Sequence, residues 1–442
     1  MQYLAMVLYT KSKILIFMKK SFLLALILLA VKVSFGQRTV IHCGNLFDAS
    51  KGTLQSQMTI VVEKNRITSV EKGYSRTSGS DNVVDLKTSY VLPGLIDMHV
   101  HLESETRRGG SYDRFTQNPP DVAFQAAKYA KTTLMAGFTT VRDLGGSGVN
   151  IALRNAINRG VADGPRIITA GKSIATTGGH ADPTNGYRRD LMGDPGPMEG
   201  VINGVDDARK AIRQRYKDGS DVIKITATGG VLSNAKDGQG PQFTDEEMKA
   251  IVQTAKDYGF NVAAHAHGAE GMKRAIRAGV QTIEHGTLMD DEAIALFKEY
   301  GTYYVPTIIA GRTAADSAKI MGYYPPLVTP KALAIGPKIQ ATFTKAYKAG
   351  VNIAFGTDAG VYPHGYNAKE FAYMVEGGMP AAEAIQSATV TNAKVLGMSD
   401  EIGTIEPGKY ADIIAVKENP LQDVKSLQNV IFVMKNGTIY KQ

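Results

Sequence analysis

The sequence predicts an α/β protein that combines a (β/α)8 TIM-like barrel with a small composite β-sandwich domain from both termini. Between residues 91 and 400, eight strand-like runs alternate with helical segments. This alternation is typical of a parallel sheet, and eight units of this total length favour a closed barrel. Short β-rich runs flank the barrel over residues 37–90 and 401–442. The alternative is an open doubly wound sheet, which would require a Gly-rich phosphate turn that the first strand lacks.

Residues 1–36 have the layout of a secretory signal peptide. They contain no acidic residue, Lys19 and Lys20 precede the apolar run 22–31, and small or turn residues follow up to Gly36. Met18 is an alternative start. A membrane anchor is the other interpretation, although the apolar run is short for a membrane span. We therefore expect an exported protein, periplasmic or secreted, without stable membrane insertion once the signal is removed.

Charge and cysteine content narrow the function classes. The formal charge is +8, but five lysines lie in the first 36 residues, and removing those five leaves +3. No basic block is interleaved with aromatic residues, so we expect no nucleic-acid partner. The single cysteine, Cys43, cannot form an internal disulfide. An exported chain of this kind therefore depends on a large core for its stability.

The β-rich segment 37–90 is predicted to supply half of the small domain. Its strand-like runs, Thr39–His42, Met58–Val62 and Ile67–Val70, are separated by Gly, Asn and Lys turns. We expect residues 401–442 to supply the other half and His42 to be structural.

The predicted barrel helices and strands follow from the spacing of apolar residues, which alternates between helical and strand-like along residues 91–400. A capping box of Thr244 and Glu247 begins a helix over Thr244–Tyr258, and another helix is predicted over Asp121–Met135. The eight predicted strands are Val91–Ile96, Phe138–Asp143, Pro165–Lys172, Asp221–Ala227, Asn261–His265, Gln281–His285, Tyr303–Thr307 and Val351–Gly356.

Polar side chains lie at the ends of these strands, where barrel enzymes carry their chemistry. In the stretch VLPGLIDMHVH, the strand period of two puts His99 and His101 on one face. Taken alone, two histidines at this spacing could equally be a surface pair. However, His265 and His285 end two further strands and Asp358 follows the eighth. The pattern predicts a metal site built from several strands.

Lys224 lies inside the apolar run VIKIT, where a charged amine is costly to bury. One interpretation is a lysine that reaches solvent. The other is a neutral amine or a carbamate made with CO2, whose two oxygens would bridge two divalent ions. Histidine, aspartate and carbamate ligands suit zinc or a similar metal. Two such ions would share a hydroxide, and Asp358 would carry its proton to the leaving amine during amide or ester hydrolysis.

The chain resembles the amidohydrolase superfamily, in its binuclear-metal branch with a carboxylated lysine. The matching stretches are LPGLIDMHVH at 92–101, VIKIT at 222–226, AHAHG at 264–268, IEHGT at 283–287, FGTDAG at 355–360 and GTIEPGKYADIIAV at 403–416.

This resemblance implies two divalent ions, zinc being the expected metal. One ion would bind His99, His101 and Asp358. The other would bind His265 and His285, with N6-carboxylated Lys224 bridging the two. The resemblance also implies a homo-oligomer.

Within the superfamily, TGGHAD at 177–182 and ATGGVLS at 227–233 are similar to the Xaa-Pro dipeptidase, metal-dependent carboxypeptidase and ochratoxinase-like group. This implies hydrolysis of the C-terminal amide bond of dipeptides or N-acyl amino acids. The alternatives are a lactonase, phosphotriesterase or cyclic-amide hydrolase that uses the same site. A third alternative is a barrel that binds or assembles without turnover.

Four further residues are candidates for substrate contact or catalysis. His180 begins a long loop, residues 180–206, that is predicted to be a substrate lid, and its imidazole would act on the substrate carbonyl or oxyanion. His267 would contact substrate or orient a metal ligand. Arg312 would bind a substrate carboxylate, its alternative being a solvated arginine, and His364 would line the entrance.

Overall fold

The computed structural model describes residues 2, 3, 6, 9, 38–236 and 238–442. Met18 lies outside the described residues, and so does the predicted signal peptide apart from residues 2, 3, 6 and 9. Among the helices of the described ranges, none has the length and hydropathy of a membrane span.

Sixteen strands are present in the described part of the chain. In chain order they are β1 Thr39–Asp48, β2 Thr53–Glu63, β3 Arg66–Lys72, β4 Asn82–Pro93, β5 Leu95–Val100, β6 Phe138–Asp143, β7 Arg166–Thr169, β8 Ala175–Thr176, β9 Val201–Ile202, β10 Ile223–Thr226, β11 Val262–Ala266, β12 Thr282–His285, β13 Tyr303–Val305, β14 Ile413–Val416, β15 Val430–Lys435 and β16 Thr438–Lys441.

Helices separate most of the strands after β5. The α-helices are α1 Asp113–Thr116, α2 Pro119–Met135, α3 Val149–Asn158, α4 Arg189–Met192, α5 Val205–Asp218, α6 Asp245–Asp257, α7 Ala269–Ala278, α8 Asp291–Tyr300, α9 Ile308–Ala318, α10 Thr329–Lys348, α11 Lys369–Glu376, α12 Ala381–Gln386 and α13 Asn392–Val395. Short 3-10 segments lie at Gly110–Tyr112 and Val424–Gln428, and a π-helical turn lies at Ser387–Thr391.

The largest sheet is assembled from both ends of the described chain. Its seven strands have the order β16-β15-β14-β4-β1-β2-β3, and β1 and β4 are parallel while the other neighbours are antiparallel. Ile41, Ile60, Ile413 and Phe432 belong to one apolar cluster beneath it. Residues before β5 and after α13 therefore share a core. The arrangement of this sheet as a sandwich remains a prediction.

Two parallel sheets carry the predicted site, in the orders β5-β6-β7 and β10-β11-β12-β13. Helices alternate with these strands, which confirms the α/β class. The two sheets are joined beside β7, where the Asp221 amide donates to the Thr169 carbonyl at 2.7 Å and the Ile174 amide donates to the Lys224 carbonyl at 2.8 Å.

The segment predicted as the eighth strand connects the other edges of the two sheets. Ile353 pairs in parallel with Tyr304 of β13, and Ala359 pairs in parallel with Val100 of β5. The predicted run Val351–Gly356 thus occupies a strand position, but it forms isolated bridges rather than a ladder. With these contacts, hydrogen bonds run around a ring of eight parallel segments.

The helix predicted over Thr244–Tyr258 shows how local signals fix an element. The Thr244 hydroxyl accepts from the Glu247 amide at 3.2 Å, and the Thr244 amide donates to the Glu247 carboxylate at 2.9 Å. This reciprocal capping box satisfies two amides that the first turn leaves without partners. Met248 and Ile251 then face the core.

Candidate metal centre

His99 and His101, from the end of β5, direct their Nε2 atoms to one point. The two atoms lie 3.3 Å apart. The Asp358 Oδ1 atom lies 3.4 Å from Nε2 of His99 and 3.3 Å from Nε2 of His101. The Lys224 Nζ atom lies 3.4 Å from the same His99 nitrogen. The structure therefore brings together four of the six residues predicted as metal ligands.

His265 and His285, from the ends of β11 and β12, complete the group. Their ring centroids lie 4.7 Å apart, and the ring of His285 lies 5.0 Å from that of His99. Candidate ligand atoms of His99, His285 and Asp358 all lie within 4.8 Å of one another. All six predicted ligands thus surround one space at the carboxyl ends of the parallel strands.

Three of the histidines have one ring nitrogen held by a neighbouring backbone or hydroxyl group. His101 Nδ1 lies 2.8 Å from the Gly145 carbonyl oxygen, and His265 Nε2 lies 3.1 Å from the Gly229 carbonyl oxygen. A carbonyl only accepts, so these nitrogens carry protons, and the opposite nitrogen of each ring is the one that can bind a metal ion. His285 Nδ1 lies 2.8 Å from the Thr307 hydroxyl. Such contacts orient imidazoles for metal binding.

The remaining ligand, His99, is held by a buried carboxylate. Its Nδ1 lies 2.9 Å from Oε2 of Glu284, whose Oε1 accepts from the Arg142 guanidinium at 2.8 Å. Burial alone would raise the pKa of Glu284, but Arg142 and His99 lower it to about 2. Glu284 is therefore a carboxylate that accepts the Nδ1 proton and leaves Nε2 of His99 unprotonated.

The roles of Glu284 and Arg142 were not predicted from the sequence. Their positions could have indicated these roles, since an acidic and a basic residue inside buried strands need partners, as Lys224 does. Asp143, at the end of β6, also has a supporting role. Its carboxylate accepts from the Leu102 amide at 3.0 Å and from the Asn150 side chain at 3.0 Å, which fixes the loops beyond β5 and β6.

The backbone at the site occupies unusual conformations. His285, Thr307 and Asp358 have φ values of 71°, 50° and 59°, in the left-handed region that non-glycine residues rarely adopt. All three lie where parallel segments end. Strain of this kind concentrates at functional sites, where the surrounding structure enforces it.

The donor set fits divalent metal ions. The Nε2 atoms of His99 and His101 and the Asp358 carboxylate oxygen lie 3.3–3.4 Å from one another, which requires a cation between them. Burial acts to lower the pKa of His101, but the Asp358 carboxylate raises that pKa above its usual value, so a proton can occupy this position when no metal ion does. Imidazole and carboxylate are also the ligands that zinc and similar metals prefer. Lys224 is buried, and burial lowers its pKa to about 8. A larger fraction of its amine is therefore neutral than in water, and the neutral amine is the form that reacts with CO2.

A cavity of about 270 Å³ opens beside the predicted ligands. His180 and His267 also line it. His180 is half-buried, its ring centroid lies 4.3 Å from that of His265, and its Nδ1 has no hydrogen-bond partner among the described residues. Burial lowers the pKa of His180 to about 3 and that of His267 to about 4, so both are neutral.

Arg312 does not line the cavity, and the prediction that it contacts substrate is corrected. Its guanidinium donates to the Gln340 side chain at 2.6 Å and to the Glu376 carboxylate at 2.9 Å. It also lies 4.2 Å above the ring of Tyr373. The reason is the helical period, which turns Arg312 toward α10 and α11 while Ala310 and its neighbours face the cavity.

His364 likewise lies outside the cavity lining, and the prediction that it lines the entrance is corrected. Its Nε2 lies 3.3 Å from the Ser104 carbonyl oxygen, and its ring stacks on Tyr129 with centroids 4.8 Å apart. Its Nδ1 lies 3.4 Å from the Thr133 hydroxyl. Both ring nitrogens therefore have structural contacts.

Comparisons with known proteins agree with this geometry. The chain matches the amidohydrolase family over residues 90–440. Ochratoxinase of Aspergillus niger is 31% identical over 427 residues, which cover 91% of this chain and 86% of that protein.

Two solved structures are similar over nearly the same range. A Xaa-Pro dipeptidase with bound methionine in its active site is 54% identical, with a TM-score of 0.88 and coverage of 92% of this chain and 100% of that one. A prolidase complexed with N-methylphosphonate-L-proline is 31% identical, with a TM-score of 0.84 and the same coverage. The chain therefore belongs to the amidohydrolase family and is a hydrolase that acts on amide or peptide bonds.

Proposed function

We propose that this protein is an exported, metal-dependent hydrolase that cleaves the C-terminal amide bond of dipeptides or N-acyl amino acids. The observation that carries the proposal is the convergence of the His99 and His101 Nε2 atoms and the Asp358 carboxylate beside buried Lys224. The similar structures support the substrate class, because one is a Xaa-Pro dipeptidase with bound methionine and another is a prolidase with a proline-containing phosphonate.

The metal arrangement is part of the proposal. His99, His101 and Asp358 would hold one divalent ion, His265 and His285 would hold the other, and N6-carboxylated Lys224 would bridge them. Zinc is the proposed metal because imidazole, carboxylate and carbamate suit it. When bound, such ions polarise a carbonyl and lower the pKa of water to about 7.

Asp358 is the proposed proton carrier. Burial acts to raise the pKa of its carboxyl, but His99 and His101 hold that pKa below its usual value, so the group is ionised. An ionised carboxylate at the centre of the ligand group can accept a proton from the attacking water. It would then deliver that proton to the departing amine.

His180 is the proposed partner of the substrate carbonyl. Its Nδ1 lacks a partner among the described residues, although that atom is buried and the residue lines the cavity. We assign its proton to Nδ1, where it would donate to the oxygen that gains negative charge as the amide is attacked. His267 would assist on the same wall, since its Nδ1 is held 2.9 Å from the Thr287 hydroxyl and Nε2 remains for substrate.

We also propose the finer architecture predicted from the sequence. The ring of parallel segments supports a closed (β/α)8 barrel over residues 91–400. The shared sheet supports a composite β-sandwich domain from residues 37–90 and 401–442. Export after removal of residues 1–36 is tested by N-terminal sequencing of secreted or periplasmic protein, and the proposed homo-oligomer by light scattering.

The decisive experiment measures amino-acid release from dipeptides and N-acyl amino acids. The full-length protein is prepared with zinc and bicarbonate, and the C-terminal residue is varied across Pro, Arg, Lys, Phe and Leu. Release from one class would support the proposal. No release by protein that contains two metal ions would contradict it and direct the search to lactones, phosphotriesters and cyclic amides.

A further inference from the structure

One part of the cavity lining is aliphatic. It is formed by α9, by α10 and by the loop that follows β10. Ala314 of α9, Ile335 and Ile339 of α10, and Val231 of the loop are all buried and line the cavity. This wall, defined here as residues 231, 314, 332, 335 and 339, lines the same cavity as the predicted ligands.

Close helix packing gives the wall a fixed shape. Gly311 and Gly336 lie where α9 and α10 cross, and both line the cavity. A Cβ at Gly336 would lie 2.6 Å from the Gly311 carbonyl oxygen and would collide with Ala315. A Cβ at Gly311 would lie 2.8 Å from Ile339. The two helices are therefore packed with their backbones close together, and a side chain at either glycine would push them apart.

Lys331 holds the loop part of the wall in place. Its ammonium donates to the carbonyl oxygens of Gly230 at 2.9 Å, Ser233 at 2.7 Å and Ala235 at 2.8 Å. Val231 lies within this clamped segment. The loop is thus anchored to α10 on either side of Val231, so the wall is formed before substrate arrives.

The wall offers no partner to a charged side chain. Among the described residues that line the cavity, the ionisable groups are His180, His267 and the predicted metal ligands, and none belongs to the aliphatic wall. Arg312 of α9 is turned away and paired with Glu376. Burying an unpaired charge against aliphatic groups is unfavourable, whereas burying an apolar side chain there is favourable.

We propose that this wall is a subsite for an uncharged aliphatic or aromatic side chain next to the scissile amide. The inference rests on the proposed function and narrows it to substrates such as leucyl, methionyl and phenylalanyl derivatives. Lysyl, arginyl, aspartyl and glutamyl derivatives are excluded from the same position.

The first test compares substrates whose side chains have the same straight carbon chain and differ by the ammonium group that ends it in lysine. N-acetyl-norleucine and N-acetyl-lysine vary the released residue, and norleucyl-glycine and lysyl-glycine vary the acyl side. Full-length protein prepared with zinc and bicarbonate should favour norleucine by about 100-fold or more in kcat/KM at one of the two positions. A ratio below about tenfold at both positions would overturn the subsite.

Binding without turnover separates this inference from the proposed function. Titration calorimetry measures the Kd of norleucine and lysine, which are cleavage products of the substrates above. Preference for norleucine without hydrolysis of any substrate would support the subsite and contradict the proposed function. Hydrolysis without a preference for norleucine would support the proposed function and contradict the subsite. If neither hydrolysis nor a preference is observed, the subsite and the proposed function are both overturned.

A matched pair of variants on α9 locates the subsite. Ala314→Asp places a carboxylate in the wall and should raise the lysine-to-norleucine ratio of kcat/KM at least about tenfold. Arg312→Gln, two residues earlier and facing α11, should leave that ratio unchanged. An unchanged ratio in folded Ala314→Asp protein would overturn the assignment. If Ala314→Asp does not fold, Ile335→Ala is used in its place. This variant enlarges the wall and should shift the substrate preference from norleucine toward phenylalanine. An unchanged preference would overturn the assignment.

Discussion

Glu284 and His99 lie 185 residues apart in the sequence, and their buried side chains meet with Oε2 of Glu284 2.9 Å from Nδ1 of His99. Both side chains are almost fully excluded from solvent. Arg142 binds the other carboxylate oxygen and the Met98 carbonyl, so strands β5, β6 and β12 are tied together by one charged group. The predicted ligand His99 is therefore oriented by residues that do not themselves reach the cavity.

Glu284→Gln should weaken metal binding without removing any predicted ligand. The amide is neutral, leaves Arg142 buried without its counter-ion, and no longer fixes the proton of His99 on Nδ1. We expect metal affinity to fall by about 10–100-fold. The loss of a buried pair should also reduce the free energy of unfolding by about 3–5 kcal/mol. Chelator competition and denaturant titration measure the two effects.

The control for this variant is Glu292→Gln. Glu292 is an exposed carboxylate that pairs with Lys273 and Arg277 on the surface. It should change stability by less than about 1 kcal/mol and leave metal affinity unchanged. Equal metal affinity in the Glu284 and Glu292 variants would show that the Glu284 contact does not orient His99 for metal.

Lys224→Ala should abolish both activity and full metal content. Without its amine, no carbamate can bridge the two proposed ions. Lys224→Met keeps more of the buried volume and should behave in the same way, which separates loss of the amine from loss of packing. Metal content is measured by elemental analysis and amide hydrolysis by amino-acid release. Turnover by either variant with two bound metals would contradict the role of Lys224.

Carbon dioxide offers a second measurement on Lys224. Reconstitution of metal-free protein with zinc in CO2-depleted buffer should give lower activity than reconstitution with bicarbonate. Addition of bicarbonate should then restore it. Equal activity from the two preparations would argue against a carboxylated lysine.

Local sequence patterns located most of the predicted ligands because these residues lie at or just beyond strand ends, whereas Lys224 was recognised as a lysine inside an apolar strand. The period of two in a strand sufficed to place His99 and His101 on one face. The orientation of Arg312 could not be predicted in this way. It depends on the left-handed φ of 50° at Thr307 and on the Glu370 carboxylate, which accepts the amides of Ile308 and Ile309 at the start of α9.

The role of Glu284 was hidden for a related reason. Its partners His99 and Arg142 lie on other strands. The spacing of residues along one strand does not show which side chains on different strands will be in contact. The apolar context of the run TIEH indicates that Glu284 is buried, but it does not identify the residue that pairs with it. Sequence patterns therefore predicted the residues that face the cavity better than those that support them.

Lys435 should make stability depend on pH between about 8 and 10.5. Its ammonium donates to the Gly164 carbonyl at 2.7 Å, and burial lowers its pKa from 10.5 to about 8. Across this window the unfolded chain binds a proton that the folded chain has lost. The free energy of unfolding should therefore rise with pH by up to about 3 kcal/mol relative to Lys435→Met.

Denaturant titrations at pH 7, 8.5 and 10 measure this difference. Lys417→Met, at an exposed lysine just after β14, is the control and should show no such change relative to the wild type. A constant difference between wild type and Lys435→Met across the three pH values would contradict the assignment.

His180→Ala should reduce turnover while leaving the metal in place. Its Nδ1 has no partner among the described residues, the residue lines the cavity, and the proposed ligand set does not include it. Removal of a donor to a developing oxyanion reduces kcat by about 100–1,000-fold. His180→Asn, which keeps a donor on a shorter side chain, should recover part of this loss. His364→Asn is the matched control, since that histidine does not line the cavity and contacts the Ser104 carbonyl and the Tyr129 ring. Equal kcat values for the His180 and His364 variants, with equal metal content, would assign His180 a structural role.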